Sequence, residues 1–260
     1  MVKSNWNVDI ENESVINDLI VEYLIESDEF QKVFFSNKDE NKKGSDIQII
    51  SEIHFEDSAI KHVDLKTAAN HRKLEGEKSI STFAFELQFR NNKNEKRSGW
   101  FYGKQYSLTN LYLLSWVWVY DKSKLKKSVK LTRKDISQIE FVLIEKNVVK
   151  NYLKEHKLTE VNYEQVIEKF DTHVQNEITE GNSGYALNIK QNNGQLESAS
   201  LSLFKPKEFA NEKYKTPYLP RIHYTANLAE KPYNVLIAKD VLIELVNNSD
   251  NKGFHRIIKF

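Results

Sequence analysis

The ten residues Leu111–Tyr120 (LYLLSWVWVY) carry no charge and constrain the fold more than any other stretch of the chain. A run of this length is about half of what a membrane helix requires. Its aromatic and β-branched content predicts a buried strand, which needs neighbouring elements to cover it. The material for that is present: 40% of the 260 residues are hydrophobic, including 14 Phe, 12 Tyr and 4 Trp, which excludes a disordered or low-complexity chain. With 8 Gly and 4 Pro a collagen-like chain is excluded and a glycine-rich nucleotide loop is disfavoured. The absence of Cys removes disulfides, thiol nucleophiles and cysteine-ligated zinc. The polar, acidic N-terminus (MVKSNWNVDIENES) has no signal-peptide apolar core, so a soluble cytoplasmic protein without membrane contact is expected.

A formal net charge of +1 conceals an asymmetry. Residues 1–60 hold 5 basic against 14 acidic side chains, and residues 61–260 hold 33 against 23. An acidic front and a basic back suit a protein that gathers cations at one place and a polyanion at another, although a Lys- and Asn-rich chain also carries many solvated charges of no such meaning.

No internal repeat stands out. Asn12 and Ser14 offer N-caps for an amphipathic helix carrying Val15, Ile16, Leu19, Ile20, Tyr23 and Leu24 and ending near Ser27. Beyond a polar loop at 36–44 the period changes to that of strands: 46–55, 59–66, 81–90, 111–120 and 138–145. Helices are expected at 148–156 and 164–172. Short strands are expected at 185–189 and 199–204, and a strand at 235–238 runs into a helix at 240–246. No Pro/Gly linker divides the chain. The fold class is α/β (α+β), a mixed sheet flanked by helices with a C-terminal α+β elaboration.

The segment 44–68 (GSDIQIISEIHFEDSAIKHVDLKTA) carries the candidate chemistry. Asp46 opens one strand, while Asp64 and Lys66 close the next and, two residues apart, share a face. A tight turn centred on residue 56 would set Asp46 opposite Lys66 and diagonal to Asp64. Paired strands hold opposite residues about 4.5–5.5 Å apart, so two carboxylates and an ammonium would converge. Carboxylate oxygens suit Mg²⁺. The ion can polarise a phosphodiester and activate water, while a lysine offsets charge developing on phosphate oxygens. Three surface charges on a hairpin would show the same spacing.

Gly44-Ser45-Asp46 followed by Val63-Asp64-Leu65-Lys66, after an N-terminal helix, resembles the PD-(D/E)XK nuclease superfamily, which includes restriction endonucleases and Holliday-junction resolvases. The resemblance covers residues 12–120. It departs from the usual motif in lacking Pro before Asp46 and in having Asp64 where Glu is commoner. It implies a restriction-endonuclease-like sheet, with a nuclease-like core in residues 1–130 and an integrated extension in 131–260 able to bind DNA. It also implies Mg²⁺ or Mn²⁺ held by Asp46 and Asp64, and Lys66 as the catalytic lysine. Glu86 and Gln88 on the strand FAFELQF form an alternative Glu-x-Gln pattern. Glu86 is then either a further catalytic metal ligand or half of a second arrangement with Asp64. His62, on the Asp64 face, and Glu22, late in the first helix, are candidates for supporting positions, and each also reads as an ordinary strand or helix residue.

Phosphate contacts are expected from the run Lys122–Lys134, with seven basic residues and no acid: Lys124, Lys126, Lys127, Lys130, Arg133 and Lys134 are the candidates. Lys213, Lys215 and Arg221, interleaved with tyrosines, form a second set that also reads as a rigid surface loop. The turn Arg90–Arg97 is a third basic patch. The seven histidines have no zinc spacing. There is neither a G-x-S-x-G elbow nor a G-x-x-x-x-G-K-[ST] loop. The leading expectation is a Mg²⁺-dependent DNA endonuclease of the restriction or mobile-element defence type. Cutting both strands would call for a homodimer. The alternatives are a non-catalytic nucleic-acid- or protein-binding module and an α+β protein with an incidental charged hairpin.

Overall fold

The structure is a computed structural model that describes residues 6–55, 57–91, 93–180, 187–203, 219–228, 230–248 and 253–260. In chain order its elements are α1 (Trp6–Glu26), β1 (Lys32–Phe35), α2 (Lys38–Asn41), β2 (Ile47–Ile50), β3 (Lys61–Thr67), β4 (Lys73–Leu74), β5 (Thr82–Arg90), β6 (Lys96–Ser98), β7 (Leu111–Val119), β8 (Ile136–Glu145), α3 (Lys146–Glu155), α4 (Tyr163–Glu180), β9 (Leu187–Asn192), β10 (Gln195–Ser202), β11 (Arg221–Thr225), β12 (Tyr233–Ala238), α5 (Lys239–Asn247) and β13 (Gly253–Lys259). The fold is mixed α+β. No described helix is long and apolar enough to cross a membrane.

The chain forms two compact units that do not follow a boundary at residue 130. The first takes Met1–Ser81, Ser107–Val148 and Leu242–Phe260; the second takes Thr82–Tyr106 and Val149–Val241. The strand at 81–90, expected beside the charged hairpin, belongs to the second unit.

The first unit is built on a mixed sheet in the order β1-β2-β3-β7-β8-β13, with β4 pairing β7. All nine residues of β7 are buried, as its uninterrupted apolar sequence requires. β1–β2–β3 is an antiparallel meander, β3 and β7 run parallel, and β7–β8–β13 is antiparallel again. A parallel neighbour needs a long crossover, and between Thr67 and Leu111 the chain contributes β5 and β6 to the second unit. Ile16, Ile20 and Leu24 of α1 pack with Val63, Leu65, Leu113, Phe141, Leu143 and Phe254. Each such fully buried aliphatic contributes about 1.5–3 kcal/mol.

α1 begins about two turns before the expected caps. Asn12 therefore lies inside it, buried, where it serves another segment: Leu131 N donates to its Oδ1 at 2.7 Å and its Nδ2 donates to Val129 O at 3.2 Å. Among the other expected elements, 138–145, 148–156, 164–172 and the strand-to-helix run at 235–246 all fall on observed elements. β1, α2, β4, β6, β11 and β13 were not anticipated.

The second unit holds the antiparallel sheet β6-β5-β12-β11-β10-β9. Phe83, Phe85 and Leu87 are buried from β5, and Ile167, Phe170 and Val174 from α4. Tyr233 Oη donates to both carboxylate oxygens of Asp171 on α4, at 2.9 and 3.0 Å.

Candidate active site

The local chain path fixes Asp46 before any long-range contact is needed. Asn37 caps α2 in a capping box with Glu40, and Gln48 Nε2 donates to the same Glu40 carboxylate at 2.8 Å. The chain then reverses at Gly44, whose φ of 83° is a left-handed conformation that side chains with a Cβ avoid. Thr109 Oγ1 donates to Gly44 O at 2.7 Å, and Asp46 N donates to Val63 O at 2.8 Å, docking the start of β2 on β3.

β2 and β3 pair with Ile47 opposite Val63 and Gln48 opposite His62. This register is shifted by two residues from the one expected, so Asp46 lies across from Asp64 and not from Lys66. The reason is the connection: β2 stops at Ile50, and Ser51, His54 and Phe55 turn inward while Glu52 and Ile53 stay exposed. Ser51 Oγ donates to Glu29 O at 2.6 Å, and His54 lies against Phe254 with ring centroids 4.3 Å apart.

Alternation along β3 turns Val63 and Leu65 into the α1 core and sends Asp64 and Lys66 to the other side. Asp64 is 2% exposed, and its Oδ1 accepts the Lys66 ammonium at 2.8 Å. Its Oδ2 is buried with no hydrogen-bond donor. Asp46 Oδ2 accepts from Leu65 N at 2.8 Å, which aims this second carboxylate at the Asp64 position. Burial pushes the Asp64 carboxyl up to about 7; the Lys66 charge opposes the rise and the Asp46 charge adds to it. Two carboxylates crowded into one dry site resist being ionised together unless a cation joins them.

The helix glutamate that feels the charges of Asp46 and Lys66 is Glu13, and not the expected Glu22. Glu13 is exposed on α1, yet the protein around its carboxyl pushes it up; Lys66 pulls it down, and Asp9 and Asp46 raise it further. Asp9, Glu13 and Asn17 repeat every four residues along one stripe of α1, and Asn17 Oδ1 accepts from Thr67 Oγ1 at the end of β3. The i, i+4, i+8 spacing was the available signal. At about 100° per residue Glu22 falls on the opposite face, where it pairs with Arg133.

The remaining candidates fall elsewhere. His62 Nδ1 is 2.9 Å from Ser45 Oγ, and its backbone N donates to Asn110 Oδ1 at 2.8 Å. Glu86 and Gln88 are on β5 in the second unit, opposite Asn234 and Tyr233 of β12. Glu86 O lies so close to Gly99 that a Cβ there would meet it at 2.3 Å. Lys124 pairs with Asp135 at 3.1 Å, Lys130 with Glu11 and Arg133 with Glu22, while Lys126, Lys127 and Lys134 are exposed. Arg221 is in β11, opposite Ser202 and Leu236, and not in a loop. Lys213 and Lys215 lie outside the described residues. Of the third basic patch, Arg90 ends β5 and Arg97 is in β6, where it pairs with Glu95 at 2.7 Å.

Among the described residues no group of three or more His, Asp or Glu side chains is disposed to hold a metal ion. What the hairpin offers is two carboxylates, one with an orphaned buried oxygen. That donor set fits Mg²⁺, which is commonly held by one or two carboxylates and completes its shell with water and substrate phosphate. Comparison with protein-family models, with curated proteins and with solved structures gave no match.

Proposed function

We propose that the protein is a Mg²⁺-dependent DNA endonuclease with a restriction-endonuclease-like first unit. The observation that carries this reading is Asp64: a carboxylate buried at 2% exposure, with one oxygen lacking a donor, a second carboxylate facing it and a lysine ammonium on its other oxygen. A buried, crowded carboxylate opposes folding unless its charge is wanted. Asp46 and Asp64 would hold the ion, which supplies Lewis acidity to the scissile phosphate. Lys66 would stabilise charge on the phosphate oxygens, and Leu65 N fixes the Asp46 oxygen through its hydrogen bond.

The test is cleavage of supercoiled plasmid and linear duplex with Mg²⁺, Mn²⁺ or EDTA. Metal-dependent cutting that falls by at least about 10²-fold in both Asp64→Ala and Lys66→Ala is the expected result. A second reading, a nucleic-acid-binding module without catalysis, is favoured by the lack of a three-ligand set among the described residues. Metal-independent, salt-sensitive binding with no cutting would select it.

A further inference from the structure

The lysines between β7 and β8 are not equivalent. Lys124, Lys130 and Arg133 are committed to ion pairs with Asp135, Glu11 and Glu22. Lys122, Lys126, Lys127 and Lys134 are exposed and form no ion pair among the described residues.

A run this rich in lysine would ordinarily be a loose tether, but its backbone is held from below. Arg72, 4% exposed, donates to the carbonyls of Lys124 and Lys126, to Val129 O at 3.0 Å and to Ala69 O at 3.3 Å. Asn12 bonds both Val129 and Leu131. Asp121 caps the turn Lys122–Leu125 through Ser123 N at 2.7 Å, and Asp135 closes the far end on Thr132 N at 2.7 Å. Carbonyl oxygens satisfy the guanidinium without cancelling its charge, so the clamp shapes the loop and leaves its field positive. Lys73 of β4 lies on the same side: together with burial, Lys127 and Lys73 hold the His71 imidazole below its usual range. Asp9 acts on both Arg72 and Glu13, and Glu13 on Lys66 and Asp46, so one run of coupled charges joins the loop to the carboxylate pair.

We propose that the loop Asp121–Asp135 is a preformed docking surface for the phosphodiester backbone of duplex DNA. Lys122, Lys126, Lys127 and Lys134 contact phosphates, and Arg72 is a positioning residue that fixes their spacing without touching the nucleic acid. This deepens the nuclease reading and rests on it for the choice of DNA among polyanions. Fixing the loop beforehand removes the ordering cost that a free lysine tether would bear on binding.

The experiment titrates a fluorescent duplex of about 25 base pairs, long enough for several phosphate contacts, with the full chain in EDTA across a salt series. Each phosphate contact contributes about 0.9 to the slope of log K against log salt. The combined variant Lys126→Gln, Lys127→Gln, Lys134→Gln should flatten that slope by about 2–3 and weaken binding more than tenfold at low salt. Lys104→Gln, Lys154→Gln, Lys259→Gln, which removes the same charge from exposed positions elsewhere, should leave the slope unchanged. Arg72→Lys keeps the charge and loses the fork. It should speed hydrogen exchange of the Lys124–Val129 amides and weaken binding, with Asn12→Ala moving both readouts the same way. Equal slopes for the two lysine sets, or binding to heparin or RNA without binding to duplex, would overturn the inference. An Arg72→Lys variant that binds as tightly as wild type would remove its positioning role. Cutting that ignores the loop lysines would sink this inference and leave the nuclease standing, whereas loop-dependent binding without cutting in any metal would do the reverse.

Discussion

Asp64 sets the demands of stability against those of chemistry. At neutral pH its ionised form is buried, crowded by Asp46 and supported on one oxygen only. Asp64→Asn keeps the shape and removes the repulsion, while Lys66, 27% exposed, can turn its charge to water. The expected outcome is metal-dependent cleavage reduced by at least about 10²-fold, with a melting temperature in EDTA at pH 8 no lower than that of wild type; a clear drop in melting would mean that Asp64 is a structural ion-pair member. Glu22→Gln, which loses only its exposed pair with Arg133, should stay near wild type and cost no more than about 1 kcal/mol. The common face of Asp64 and Lys66 was legible because a strand's period of two needs no tertiary information. Glu13 was legible only as one member of the stripe Asp9, Glu13, Asn17, because a polar helix face does not announce which of its stripes lies nearest the sheet.

At the scale of elements, the hairpin was legible and its register was not. Register follows from the connection, and SEIHF continues the alternating pattern of the strand although Ser51 and His54 are drawn inward by Glu29 and Phe254. β11 was hidden for a different reason: it follows Pro217 and Pro220, which read as a rigid loop. The entry into β2 depends on Gly44, where a left-handed backbone at φ 83° precedes Asp46 by two residues. Gly44→Ala should destabilise the protein by about 1–2 kcal/mol. Because the same turn aims the Asp46 carboxylate, cleavage should fall by more than the loss of folded protein accounts for. Titration of unfolding beside cleavage per folded molecule separates the two; an activity loss equal to the folding loss would show that the turn does not position Asp46.

At the scale of the whole chain, the first unit is assembled from three separated segments, and two of the four crossings fall inside the continuous helices α3 and α5, where nothing in composition marks them. Its closure depends on contacts between residues more than 200 positions apart. The C-terminal β13 pairs with β8 along seven residues, and Arg256 from it donates to both oxygens of Glu29 at 2.9 and 3.0 Å. Glu29 also meets His54 Nε2 at 2.7 Å, tying the end of the chain to the α1–β1 connection and to the turn after β2. Burial raises the Glu29 carboxyl, but the hydrogen bonds and charges of Arg256 and His54 outweigh it and hold the group below its usual value of 4.5. A carboxyl held low in the folded state stabilises when ionised. Its contribution is therefore complete above the unfolded value and disappears as pH falls through the folded one. Glu29→Gln should cost about 1 kcal/mol at pH 7, a modest figure because about a third of each side chain meets water. The gap between wild type and variant should shrink below about pH 4.5 and close as the acid form takes over. Unfolding midpoints of both proteins from pH 7 to pH 3 measure it: a gap that stays constant would show that Glu29 acts through packing and that closure of the unit does not depend on its charge.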